Sequence, residues 1–138
     1  MPSKKKLTFE EDLERRASDI ISVWGDRLML HNWDLTLVVG PTADSDHLAN
    51  ITWTPYYKSA RLVVNSKHGL GDAAYQDGQL ERTLVHELCH LLLAPYTDVY
   101  DSELNAEGVL FKLFHRGEEA AVENMTAALL EAYHGSSS

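Results

Sequence analysis

The chain has 138 residues, with 12 Lys and Arg against 21 Asp and Glu and a formal charge of -9. This length predicts a single domain with its own core. No apolar run reaches the stretch of about 20 residues that a membrane-spanning helix needs, and an acidic surface disfavours binding to nucleic acid, whose phosphates it repels. The single cysteine, Cys89, excludes an internal disulfide, and the N-terminal segment lacks the apolar stretch of a secretory signal. Both features predict a cytoplasmic protein.

The first half of the chain predicts one helix followed by three strands. Thr8 and Glu11 have the spacing of a capping box, and apolar residues recur at helical intervals after them. Alternating and β-branched residues follow, and these are typical of strands. The predicted elements are a helix over 9–30, strands over 33–39, 48–54 and 60–65, and loops over 42–47 and 66–71.

The second half predicts three helices. A broad apolar face followed by Pro95 indicates the first of them. Asp101 or Ser102 is expected to cap the second, and Gly117 is expected to stop it. The expected helices run over 77–94, from 101 or 102 to 117, and from 118 to about 133.

This order of elements predicts an α+β domain in which a small, mostly antiparallel sheet packs on helices. The domain is expected over 8–134. Flexible ends are expected at 1–7 and 135–138.

The segment His86-Glu87-Leu88-Cys89-His90 is an HExxH motif inside the predicted helix over 77–94. Positions i and i+4 of a helix share one face, so two neutral imidazoles placed there can bind one zinc ion. Glu87 follows the first histidine and can act as the general base that takes a proton from a water at the zinc. Given the numbers of His and Glu in the chain, chance gives about 0.03 such patterns. The motif therefore predicts a zinc site with one ion per chain.

The stretch RTLVHELCHLLL over 82–93 resembles the active-site helix of the zincin metallopeptidases. The ImmA/IrrE-type and phage-encoded minimal gluzincins are the first choice among these families, and the SprT-like proteases are the second. The resemblance extends in layout over about 33–130, although only the helix motif is specific. It implies a zinc-dependent enzyme that cleaves a peptide or protein substrate, in the cytoplasm or encoded by a phage and acting in the host cell.

The families differ in their third zinc ligand. Metzincins extend the motif to H-E-x-x-H-x-x-G-x-x-H, and Leu93 and Tyr96 at the last two required positions exclude that class. SprT-like proteins use a third histidine shortly after the motif, whereas the next histidine here is the distant His115.

Gluzincins instead take a Glu from the next packed helix, and 119–130 resembles the third-ligand helix of ImmA/IrrE-type proteins. This resemblance implies that Glu119 is the ligand. It also implies that Glu123, one turn later, is an acid that orients a ligand histidine. Glu118 replaces Glu119 if the register shifts by one residue. The remaining open candidates are Glu103, Glu107 and His115.

Three residues near the motif have weaker expectations. Cys89 is expected to be a small buried residue rather than a ligand. Tyr96 and Tyr100 follow the motif, and a tyrosine there can polarise a substrate carbonyl, although packing is the simpler expectation.

Two questions about function stay open from the sequence. An edge strand over 48–54 or 60–65 is expected to align a peptide by strand addition. The alternative function is a non-hydrolytic zinc domain that binds a partner or acts in regulation, which a fourth protein ligand such as His115, Cys89 or Glu107 would favour.

Overall fold

A computed structural model describes residues 6–42, 47–54, 56–67 and 71–135. Its elements, in chain order, are α1 (Phe9–Arg27), β1 (Asp34–Gly40), β2 (Ala49–Thr54), β3 (Ser59–Asn65), a short 3-10 turn (Asp72–Tyr75), α2 (Asp77–Leu92), α3 (Ala94–Glu103) and α4 (Val109–His134). The predicted α+β class is confirmed. The predicted loops and termini over 1–7, 42–47, 66–71 and 135–138 lie partly outside the described residues. Within the described ranges, no helix combines the length and the apolar content needed to cross a membrane.

Helix α1 begins with the predicted capping box. The Thr8 hydroxyl accepts a hydrogen bond from the Glu11 backbone N–H at 3.1 Å, and the Glu11 carboxylate accepts one from the Thr8 N–H at 3.1 Å. Two N–H groups without a partner inside the helix are thereby satisfied. Farther along α1, the fully buried Trp24 donates from Nε1 to Oε2 of Glu81 at 2.9 Å. This bond ties α1 to α2, the helix that carries the HExxH motif.

The sheet has the strand order β1-β3-β2 and is mixed rather than mostly antiparallel. β2 pairs antiparallel with β3, whereas β1 pairs parallel with β3. A short connection that includes Lys58 joins β2 to β3, and these two strands are antiparallel neighbours. The connection from β1 to β2 is longer, and β3 lies between β1 and β2 in the sheet. The hydropathy pattern predicts strands but carries no information on this order.

The strand order decides which strand can receive a peptide. β3 is the central strand, so the expectation that 60–65 is an edge strand is wrong. Within the described residues, β2 has one edge without a neighbouring strand, its free edge, and the strand packs against α2. Of the two strands considered for strand addition, only the one over 48–54 lies at an edge of the sheet.

Helix α2 is held in one rotation by its buried apolar face. Its fully or almost fully buried apolar residues are Leu80, Leu84, Val85, Leu88, Cys89 and Leu91. They belong to a core shared with α1 and the sheet. Because the period of the helix is 3.6 residues, fixing this face also fixes the direction in which the motif histidines point.

The C-terminal helices differ from the prediction in two places. Pro95 lies in the first turn of α3, where its missing N–H costs nothing, so it begins a helix that the sequence pattern did not indicate. The cap expected at Asp101 or Ser102 is wrong because both residues lie inside α3.

The stop expected at Gly117 is also wrong. Helix α4 begins after Gly108 and continues through Gly117 to His134. A glycine inside a helix costs only about 1 kcal/mol. Contacts on both sides of it outweigh this cost: the helix packs on α3 before it, and Val122 is fully buried after it.

Candidate metal centre

Three side chains from α2 and α4 converge. His86 and His90 are one turn apart on α2, with ring centroids 5.1 Å apart. Glu119 of α4 faces both rings: its Oε2 lies 3.8 Å from Nε2 of His86, and its Oε1 lies 3.3 Å from Nε2 of His90. One ligand atom from each residue lies within 4.8 Å of the other two. Two imidazole nitrogens and a carboxylate oxygen are a donor set that fits zinc.

The opposite ring nitrogens of the two histidines each contact a separate carboxylate. Nδ1 of His86 lies 2.8 Å from Oε1 of Glu123, and Nδ1 of His90 lies 2.9 Å from Oε2 of Glu118. An Nδ1–H that donates to a carboxylate fixes the tautomer in which Nε2 carries the lone pair. Both lone pairs then point to the side where Glu119 lies, which is a second indication that these residues suit a metal ion.

Glu118, which the sequence indicated only as an alternative ligand, contacts a ligand-candidate histidine instead. Its side chain is only 7% exposed. Besides its contact with His90, its carboxylate accepts hydrogen bonds from the Tyr100 hydroxyl at 3.0 Å and from the Thr97 hydroxyl. Adjacent residues of a helix point about 100° apart, so Glu119 can face the histidine Nε2 atoms while Glu118 faces α3. The sequence indicated both glutamates as candidate ligands. The role of Glu118 could not be predicted, because its hydroxyl partners lie on α3 and the sequence pattern did not predict that helix.

The tyrosines after the motif have separate roles. The Tyr100 side chain is buried, and its pKa is raised to about 12 by burial and by its hydrogen bond to Glu118. Its hydroxyl is therefore engaged in holding that carboxylate. Tyr96, one turn before Tyr100 on α3, is 72% exposed and lines an apolar pocket together with Tyr100, Leu113 and Phe114.

Glu87 is partly buried beside the candidate centre and contacts the edge strand β2. Its carboxylate accepts a backbone hydrogen bond from Ile51 of β2. Burial, and secondly the negative charge of Glu119, raise the pKa of Glu87 to about 7. A carboxylate with such a pKa exchanges protons readily near neutral pH. The pKa of His86 is lowered by burial and by the neighbouring His90, so its ligand-competent neutral form is favoured.

These groups open into a cleft of about 1180 Å³ between β2 and α3. His86, Glu87, His90 and Glu119 line it on the side of α2 and α4. Residues Asn50 to Trp53 of the edge strand β2 form one wall of the cleft. The candidate centre is therefore accessible to a molecule from solution.

The other candidate ligands from the sequence do not join this group. His115 stacks on Phe111 at 6.3 Å and forms a second group with Glu118 and Glu119, but it does not join the group of His86 and His90. Within the described residues, neither Glu103 nor Glu107 belongs to a group of three potential ligands. Cys89 is buried in the core as expected, and burial raises the pKa of its thiol.

Comparisons of the chain with protein-family models, with curated proteins and with solved structures found no match. An interpretation of the centre therefore rests on its own geometry and chemistry.

Proposed function

We propose that the protein is a zinc-dependent metallopeptidase of minimal gluzincin type, which hydrolyses a peptide bond in a peptide or protein substrate. The observation that carries this proposal is the convergence of His86, His90 and Glu119, whose ligand atoms lie within 4.8 Å of one another, with Nε2 of both histidines facing the Glu119 carboxylate. The carboxylates on both Nδ1 atoms support it, because metal-binding histidines almost always have such a partner.

An open site favours catalysis over a structural role. Structural zinc sites are closed by four protein ligands, whereas catalytic sites keep one position for water or substrate. The group of His86, His90 and Glu119 has no fourth member among the described residues, and it faces a cleft. A non-hydrolytic regulatory zinc domain would have no use for Glu87 at this position.

Each residue of the centre has a separate proposed role. His86, His90 and Glu119 would hold zinc, which when bound polarises a carbonyl group and lowers the pKa of a water molecule. Glu87 would accept a proton at its carboxylate and pass it to the leaving amine. Glu118 and Glu123 orient the two imidazoles and favour the tautomer whose proton lies on Nδ1.

The free edge of β2 supplies the means to align a substrate. An extended peptide that adds to this edge runs past Ile51, whose backbone contacts Glu87. The scissile bond would then lie beside the general base. We also propose that the protein acts in the cytoplasm, since its single cysteine is a buried thiol of the core rather than part of a disulfide.

The direct test combines metal analysis with one conservative substitution. Protein purified without added metal is expected to contain one zinc per chain and to cleave an unfolded protein such as casein. Glu87→Gln is expected to retain the zinc and the fold and to lose cleavage, whereas Glu103→Gln, an exposed glutamate on α3, is expected to change neither. Cleavage that is equal in the Glu87→Gln variant would contradict the proposal. Zinc binding without cleavage of any substrate would indicate the regulatory zinc domain instead.

A further inference from the structure

The cleft beside the candidate centre is strongly acidic. Five of its lining residues are Asp or Glu, and none of its described lining residues is Lys or Arg. A bound divalent cation offsets two negative charges, so the cleft remains negative when zinc is present, even with Glu87 protonated. The lining acids are Glu87, Asp98, Asp101, Glu118 and Glu119.

Two of these acids have no part in holding the metal ligands. Asp98 is fixed on the α3 wall, because its Oδ1 accepts a hydrogen bond from Nε1 of Trp53 at 2.9 Å. Asp101 lies nearly one turn later on the same side of α3 and is exposed. Both carboxylates therefore face the space between α3 and the free edge of β2, where the peptide would lie.

We propose that the substrate segment bound in this cleft is basic, with a Lys or Arg side chain near the scissile bond that pairs with Asp98 and Asp101. This inference rests on the proposed function, because it assigns a substrate class to the same site. A cation placed between two carboxylates gains Coulomb energy from both, and an acidic residue at the same position is repelled by both. The negative charge of the whole chain, -9, adds attraction at longer range.

Binding tests this proposal without requiring turnover. The probes are three fluorescent random octapeptide mixtures that differ only in a fixed central residue, which is Lys, Gln or Glu. Their affinity for the zinc-loaded Glu87→Gln variant is measured by anisotropy at low and at high salt. The Lys mixture is expected to bind about fivefold more tightly than the Gln mixture, and the Glu mixture more weakly, with differences that shrink as salt increases.

A matched pair of substitutions locates the effect. Asp101→Asn in the same background is expected to reduce the Lys-over-Glu preference at least twofold. Asp19→Asn, which removes the same charge from an exposed position on α1, is expected to leave the preference unchanged. Equal binding of the three mixtures, or equal effects of the two substitutions, would overturn the proposal. A charge preference in a protein that cleaves no peptide would refute the catalytic proposal and reduce this one to a cleft that binds basic segments, so the two failures are distinguishable.

Discussion

Glu118 and His90 form a buried carboxylate–imidazole pair, with Oε2 of Glu118 2.9 Å from Nδ1 of His90 and with side chains only 7% and 11% exposed. The carboxylate is in turn held by two hydroxyl groups of α3. In the proposed zinc site, Glu118 would orient the ligand His90 without contacting the metal, and this distinction can be measured.

We expect Glu119→Gln and Glu118→Gln to weaken zinc binding by different amounts. Loss of the partner of a ligand histidine typically costs 10–100-fold in metal affinity, so about tenfold is expected for Glu118→Gln. Loss of the Glu119 ligand is expected to cost more than about 100-fold. Competition with a chromogenic chelator measures both constants, and circular dichroism checks that each variant is folded. If Glu118→Gln is the more damaging change, the register of the third ligand is shifted by one residue.

Zinc is expected to stabilise the fold, and this stabilisation should depend on His86 and His90. A ligand present at 1,000 times its dissociation constant raises the free energy of unfolding by about 4 kcal/mol. Thermal melts of wild type with zinc and with EDTA measure this increment. His86→Ala and His90→Ala should each abolish it, whereas His31→Ala, at an exposed histidine far from the centre, should retain it. A wild-type melting temperature that does not respond to EDTA would argue against a bound metal.

The metal-free protein is expected to lose stability as the pH rises from about 5 to about 7, because Glu87 loses its proton in this range. The pKa of Glu87 is raised in the folded state from 4.5 to about 7, mainly by burial. In this range the folded state binds more protons than the unfolded state, so the free energy of unfolding falls as the pH rises. Glu87→Gln cannot titrate. It should therefore match the wild type near pH 4 and exceed it at pH 8 by up to about 3 kcal/mol.

Urea unfolding in EDTA at a series of pH values provides this comparison. Glu103→Gln, at an exposed site, serves as the control for the loss of one carboxylate. Curves for wild type and Glu87→Gln that stay parallel over the whole range would show that the Glu87 carboxyl titrates normally in the folded state.

Gly117→Ala should stabilise the protein. Gly117 lies inside α4, and a Cβ built there meets no atom within 4 Å. Replacement of a helix-interior glycine by alanine is worth about 0.5–1 kcal/mol. Gly71, whose φ is +80°, is the control: alanine there should destabilise the fold, because L residues avoid this conformation. Destabilisation by Gly117→Ala would mean that α4 is interrupted at this residue.

The sequence was most informative where periodicity and local chemistry coincide. The capping box at Thr8 and the helix of the HExxH motif could be predicted because each depends on residues close together in the chain. The pairing of Glu123 with a histidine also followed from a resemblance plus helical spacing. By contrast, the strand order and the parallel pairing of β1 depend on contacts between distant segments, which hydropathy does not encode.

Helix α3 explains the remaining differences. Its sequence, with Pro95 in the first turn and two aspartates inside, has little amphipathic periodicity, so the pattern gave no reason to expect a helix there. Without α3, Thr97 and Tyr100 could not be recognised as partners of Glu118. Asp98 and Asp101 could not be assigned to the cleft for the same reason.

Glu118, Glu119 and Glu123 all lie within two turns of α4, whereas His86, Glu87 and His90 lie on α2. The centre is thus assembled across a single helix–helix interface, and a displacement of α4 changes three carboxylate distances at once. A change in packing between the two helices therefore moves all three carboxylates relative to the histidines, rather than only one of them. Zinc affinity should accordingly report on how the two helices pack, even for substitutions at core positions such as Val122, which is fully buried and is not itself a proposed ligand.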